Sequence, residues 1–152
     1  MSFTRTLYSC FIFLLIYGTV LAQDAYSSLA DSIYRLVEEE PDEREKIRVI
    51  FDNVFYYDFA PFTFDLITQA NEISNRLGDE SLIIESLLSY GQFYNFSSKY
   101  DSSQVFFDEA LALPFLEKHV AFKAELLEAK AVAFSRSNKI QEAINYLSLI
   151  HI

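Results

Sequence analysis

The chain has 152 residues, 51 % apolar and 22 % charged, which is enough apolar material for one domain with a packed core and too much for a disordered segment. Three Gly and three Pro are too few for the tight turns of an all-β fold, and a net charge of −10 argues against nucleic acid and anionic lipid, which need clustered Lys and Arg. Composition favours an all-α protein whose acidity is a solvated surface, with a basic ligand as the sharper alternative.

Arg5 precedes an apolar stretch from Cys10 to Tyr17, and Val20-Leu21-Ala22 has the small-residue pattern of a signal-peptidase site. Residues 1–22 therefore read as a signal peptide whose cleavage leaves Gln23 as the N-terminus. Gly18 and Thr19 interrupt the run short of the roughly 20 residues a spanning helix needs, and an uncleaved anchor is the alternative. Leu7-Tyr8-Ser9-Cys10 imitates a lipobox only loosely, because the apolar stretch follows the Cys instead of preceding it. Cleavage removes Arg5 and no acid, so the mature charge becomes −11, and with Cys10 gone no disulfide or thiolate chemistry remains.

Leu29, Ile33, Leu36 and Val37 form a helical stripe over Ala25 to Glu39, which Pro41 stops. A second helix starts at about Asp42 with Ile47, Ile50, Phe51, Val54 and Phe55 on one face, and Ala60-Pro61 breaks it. A third covers Phe62 to Leu77, followed by a Gly78 C-cap and an Asp79 N-cap. Ser81 to Leu113 reads as two helices joined at Asn95 to Lys99, with Asp101 or Ser102 available to cap the second and Pro114 ending the pair. A sixth helix spans about Lys118 to Phe134, Ser135 to Asn138 is a turn, and a seventh begins at about Lys139.

One period runs through these helices. Thr63, Ser103 and Ala143 recur at intervals of 40 residues, as do Phe51, Gly91 and Ala131, then Val54, Tyr94 and Phe134, and Ala70 with Ala110. A fixed period of about 20 to 50 residues is the mark of stacked helix pairs, each covered by its neighbours. The central copy, with Leu87, Tyr90-Gly91 and Tyr94 followed by Ser103, Phe107 and Ala110, resembles the tetratricopeptide-repeat pattern of a large residue, a Leu-Gly pair, a Tyr, a small residue, an aromatic and Ala. It departs through Tyr90 for Leu, Ser103 for Ala, and a period about six longer than the family norm of about 34. The resemblance implies a right-handed helical-hairpin solenoid of about seven helices over residues 23–146. Gly91, Ala131, Ser103, Ala110 and Ala143 are the close-approach positions, and Leu87, Tyr94, Phe107 and Phe134 fill the space between pairs.

The last six residues, Leu147 to Ile152, are also the translation of CTG TCT CTT ATA CAC ATC, the transposase mosaic end used to prepare sequencing libraries. The natural sequence is expected to end by about Tyr146, with residues 147–152 an adaptor artefact; the alternative is a helix that ends in an apolar run.

Catalytic chemistry finds no footing. The histidines are His119 and His151, and no metal-ligand spacing, phosphate loop or nucleophile triad is present. No catalytic residue, cofactor or metal is expected, and the acid run Glu38-Glu39-Glu40 reads as solvated surface. In tetratricopeptide arrays the first helix of each pair lines a concave groove. The resemblance therefore places Arg48, Asp52 and Tyr56, then Glu85, Gln92, Asn95 and Phe96, then Glu125, Glu128 and Arg136 on a binding face, with Glu45, Phe55, Leu88 and Val132 beside them. No Lys stands in this set, so a clamp for a peptide carboxylate is disfavoured.

The export signal and the 40-residue pairs together resemble the N-terminal extracytoplasmic region of bacterial membrane-anchored sensor kinases or transcriptional regulators. The resemblance implies a protein or peptide partner, no nucleic acid, a periplasmic or extracytoplasmic location, and membrane attachment only through an uncleaved signal or a downstream segment. A free periplasmic or cell-surface scaffold for envelope assembly is the alternative. The expected intact mass of the exported protein begins at Gln23; a mass that retains residues 1–22 identifies that segment as an anchor.

Overall fold

The computed structural model describes residues 26–57 and 59–151, all in helices or the turns between them. The signal segment 1–22, Cys10, the new terminus at Gln23 and Ile152 lie outside the described residues. The chain divides into two compact units, one ending at Glu39 and one starting at Glu40.

The first unit contributes one described helix, α1, over residues 26–39. Ala30, Ile33 and Val37 are buried on the expected stripe, whereas Leu36 is 54 % exposed. Ser32 Oγ donates to the Ser28 carbonyl at 2.8 Å.

The second unit is six helices: α2 (Glu43–Tyr56), α3 (Thr63–Leu77), α4 (Glu80–Phe96), α5 (Tyr100–Leu111), α6 (Val120–Arg136) and α7 (Ile140–Ser148), with 3-10 turns at Pro114–Glu117 and Leu149–His151. Each packs on its successor, and α4 also touches α2 and α6.

Local chemistry sets the boundaries. Asp42 caps α2 by accepting from the Arg44 and Glu45 amides at 2.9 Å, which satisfies two N–H groups that lack a helical partner. Gly78 ends α3 at φ 65°, in the left-handed region, and Asp79 immediately caps α4 through Ser81 and Leu82. Arg44 pairs with Asp79, and Arg76 with Glu43, across the same junction.

Several boundaries differ from the sequence reading. α4 runs through Asn95 and Phe96, so the turn is Ser97 to Lys99, not Asn95 to Lys99. Neither Asp101 nor Ser102 caps α5; Lys99 occupies that place without a side-chain bond, and the chain bends at Ser98 with φ 58°. α6 starts at Val120 and keeps Ser135 and Arg136 helical, which moves the second turn to Ser137 through Lys139.

The two turns are copies of one another. Ser97, Ser98 and Lys99 amides donate to Phe93, Asn95 and Tyr94 carbonyls, and Ser137, Asn138 and Lys139 repeat the pattern on Ala133, Ser135 and Phe134. Asn138 has φ 63°, matching Ser98. The amides of Tyr57 and Phe59 make the corresponding bonds to Asn53 and Val54 after α2.

The core follows the 40-residue interval. Thr63, Ser103 and Ala143 are buried, as are Phe51, Gly91 and Ala131, and Ala70 and Ala110 are fully buried. Tyr94 and Phe134 are only half-buried, because each lies flat against an aromatic ring one helix on: Tyr94 on Phe106 at 5.4 Å and Phe134 on Tyr146 at 5.2 Å. Leu87, Phe107, Ala110, Leu116 and Leu126 share one core cluster with Ile84, Leu88 and Ala133. Phe55 is 41 % exposed, at the edge of its stripe.

α4 and α5 approach so closely that a Cβ on Gly91 would stand 2.7 Å from Phe107 Cζ and closer to the ring atoms beside it. Phe107 is fully buried, so its ring has nowhere to turn. A Gly→Ala change in a helix interior gains up to about 1 kcal/mol of propensity, whereas overpacking costs about 1–3 kcal/mol or more, and here the clash wins. Gly91→Ala is expected to lower the melting temperature by roughly 5 °C or more, and adding Phe107→Leu to recover part of that loss. An Ala variant that melts at or above the parent overturns this packing.

Candidate functional site

The binding face expected on α2, α4 and α6 divides into residues that converge and residues that do not. Gln92, Asn95 and Phe96 from α4 and Glu125, Glu128, Val132 and Arg136 from α6 line one cleft of about 270 Å³, with Ala129 at its floor. Gly91 and Ala131 carry one side of each helix into the core; Gln92, Phe96, Glu125 and Arg136 lie about 100° or more around from them, whereas Asn95, one turn after Gly91, stays at the buried margin.

Burial within the cleft is uneven. Glu125, Glu128 and Arg136 are exposed, Phe96 is 47 % exposed, and Asn95 is only 5 % exposed. Asn95 Oδ1 and Gln92 Oε1 are sealed from solvent and have no hydrogen-bond partner. A buried acceptor left unpaired costs about 1–3 kcal/mol, so these two oxygens are poised to accept. Leu88, expected on the face, is instead 2 % exposed in the core, since it sits one turn away on the side of α4 that meets the Leu126 cluster.

Asp52, Glu85 and Glu125 extend the acidic character across three helices. Burial first, then the charges of Glu125 and Asp52, push the Glu85 carboxyl above its ordinary value. Arg48 stands at the α2 end of this row: it pairs with Glu45 within α2, Nε donating at 2.8 Å, and that pairing first, with the charge of Asp52 after it, holds its guanidinium charged above the usual range. Tyr56 is 78 % exposed and rests edge-on against Tyr57 at 4.8 Å.

Aromatic groups form the other wall. Arg136 lies over the Phe96 ring at 4.9 Å, Phe96 stacks on Phe59 at 5.2 Å, and Phe59 meets Phe55 edge-on at 5.4 Å. Phe59 has φ 55°, a left-handed conformation that a bulky residue adopts only when its surroundings over-determine it. Here burial to 7 % exposure and the Phe96 stack supply that constraint. Phe59 carries no sequence signal for this role, because a left-handed turn is ordinarily marked by Gly or Asn.

Among the described residues no group of three or more His, Cys, Asp and Glu could hold a metal ion, and no helix is long and apolar enough to cross a membrane. His119 is exposed and stacks on Phe115 at 3.7 Å.

Two carboxylates pull the pH dependence in opposite directions. Glu85 has a raised carboxyl pKa, so its ionised form costs stability at neutral pH, and the cost is relieved as pH falls through that pKa toward the ordinary 4.5. Asp79 is held down to about 2 by the Ser81 hydroxyl first and then by Arg44; its contribution persists above the unfolded carboxyl range and is lost as pH falls toward 2. Melting is therefore expected to shift upward between pH 7 and about pH 5 and to fall steeply only below about pH 4. Glu85→Gln is expected to raise the melting temperature at pH 7 and to flatten that upward limb; an unchanged limb in the variant assigns it to another group.

No family model, curated protein or solved structure matches the chain.

Proposed function

We propose that the chain is a non-catalytic, tetratricopeptide-like helical-repeat module that binds a protein or peptide along the side of α2, α4 and α6. The observation that carries this reading is the convergence of α4 and α6 side chains, 40 residues apart in sequence, on one polar cleft with an aromatic wall. The repeated turns after α4 and α6, the buried small residues at the same interval and the alternate contacts of α4 with α2 and α6 support a solenoid arrangement. Residues 1–22, read as an export signal, favour an extracytoplasmic sensory or interaction region of a bacterial membrane signalling protein. That assignment rests on the sequence resemblance, and a fold of this kind serves many functions.

Selection of a random displayed-peptide library on the full chain is expected to enrich peptides whose affinity falls by about tenfold or more in Phe96→Ser. Phe96 is about half exposed but stacks on Phe59, so the variant is expected to melt somewhat below the parent and to keep its helical circular dichroism at the assay temperature. Enriched peptides indifferent to Phe96→Ser place binding elsewhere, and failure to enrich any peptide counts against the module.

A further inference from the structure

We infer that the α4–α6 cleft is a receptor for a basic peptide segment, its ammonium or guanidinium seated on Glu125 and Glu128 and its backbone N–H groups donating to Gln92 and Asn95 toward the Arg136 end. This rests on the peptide-binding reading above and names the chemistry of its ligand.

The donor and acceptor balance of the cleft carries the inference. Glu125 and Glu128, when ionised, are acceptors without a donor, and the free oxygens of Gln92 and Asn95 also need donors. An anionic ligand would set its lone pairs against theirs, and a neutral one offers donors but no charge to offset the two carboxylates. A guanidinium offers five N–H donors and an ammonium three, and a peptide adds its own backbone N–H groups. Asn95 is the decisive residue: it is 95 % buried by its 5 % exposure, lines the cleft, and has an oxygen that no side chain or backbone group satisfies. Acidic residues on an exposed helix are ordinarily just solvated; a sealed, unpartnered acceptor beside them is not.

The one cation already in the cleft does not compete. Arg136 follows Glu125 by eleven residues on the same helix, a rise of about 16 Å, and its guanidinium rests on the Phe96 ring. It closes one end and leaves the carboxylate end open. Ala129 and Val132 lie between the two ends and offer an apolar strip against which a long basic side chain can lay its methylene stem. The row continues beyond the cleft to Glu85 and Asp52, whose mutual repulsion with Glu125 a bound positive charge would relieve.

Isothermal titration of the full chain with acetyl-Gly-Arg-Gly-amide, acetyl-Gly-Lys-Gly-amide, acetyl-Gly-Gln-Gly-amide and spermidine tests this. The Arg and Lys peptides are expected to bind, the Gln peptide not to, and affinity to fall between about 50 and about 300 mM NaCl. Glu125→Gln and Asn95→Leu are each expected to weaken the Arg peptide by about tenfold or more, while Glu109→Gln on the exposed side of α5 leaves it unchanged. Glu125 is exposed, so its variant keeps the test valid if Asn95→Leu perturbs the fold. Spermidine that binds with the same sensitivities while both peptides fail supports the cation site and sinks the peptide-binding reading. Selected peptides that are uncharged or acidic yet lose affinity in Phe96→Ser support the peptide-binding reading and overturn the cation site. Binding of the Arg peptide that is indifferent to both cleft variants, or absent for every cationic probe up to about 10 mM, also overturns it.

Discussion

The contact between Gly91 and the Phe107 ring is the constraint on which the rest of the helical unit depends. It brings α5 down onto α4 at a distance only a residue without Cβ allows, and it places the fully buried ring among Ile84, Leu87, Leu126 and Ala133. Burying one such ring contributes very roughly 1.5–3 kcal/mol, more than any exposed ion pair at the helix junctions. The corresponding positions in the neighbouring pairs show how the demand is met elsewhere. Phe51 stands where Gly91 does and Ile67 where Phe107 does; one pair further on the residues are Ala131 and Leu147. Phe51 and Ile67 are both buried, so there the larger ring comes from the first helix, whereas Leu147 is 44 % exposed and does not fill the place of Phe107.

A second contact recurs with a change of chemistry. Tyr94 and Phe134 each stack on a ring 12 residues later, Phe106 and Tyr146, at nearly the same separation. Tyr90 adds a further stacked ring on Phe106 at 4.8 Å, but its counterpart Lys130 places an ammonium over Tyr146 at 4.7 Å. Lys130 is 3 % exposed and also pairs with Asp108, which is itself 63 % exposed. An ammonium is tolerated at that depth because the ring face and the carboxylate both meet it; either alone would leave much of its desolvation cost unmet. The same skeleton thus accepts an aromatic or a cation at one position.

The cleft is the outward consequence of this inward repetition. Once Gly91 and Ala131 are committed to the core, Gln92 and Phe96 on α4 and Glu125, Glu128 and Arg136 on α6 are left toward the outside, Asn95 stays buried at the margin, and the adjacency of α4 and α6 merges the two stripes. The strained Phe59 and the unpaired Asn95 oxygen both border this side.

Helix class, the Asp42, Gly78 and Asp79 caps and the 40-residue interval of buried small residues were determined by the sequence alone, because each depends on chemistry within one turn or on spacing along the chain. The face itself came from the tetratricopeptide resemblance, and its α4 and α6 residues do line one cleft. The tertiary structure alone decided which of those residues meet. It sent Leu88 into the core, sealed Asn95, kept Arg48 and Tyr56 apart from the cleft, buried Lys130 beneath Tyr146, and recruited Phe59 through a left-handed bend that no Gly or Asn marks. These outcomes turn on contacts between helices far apart in sequence, where a few ångströms of approach, set by the missing Cβ of Gly91, choose between exposure and burial.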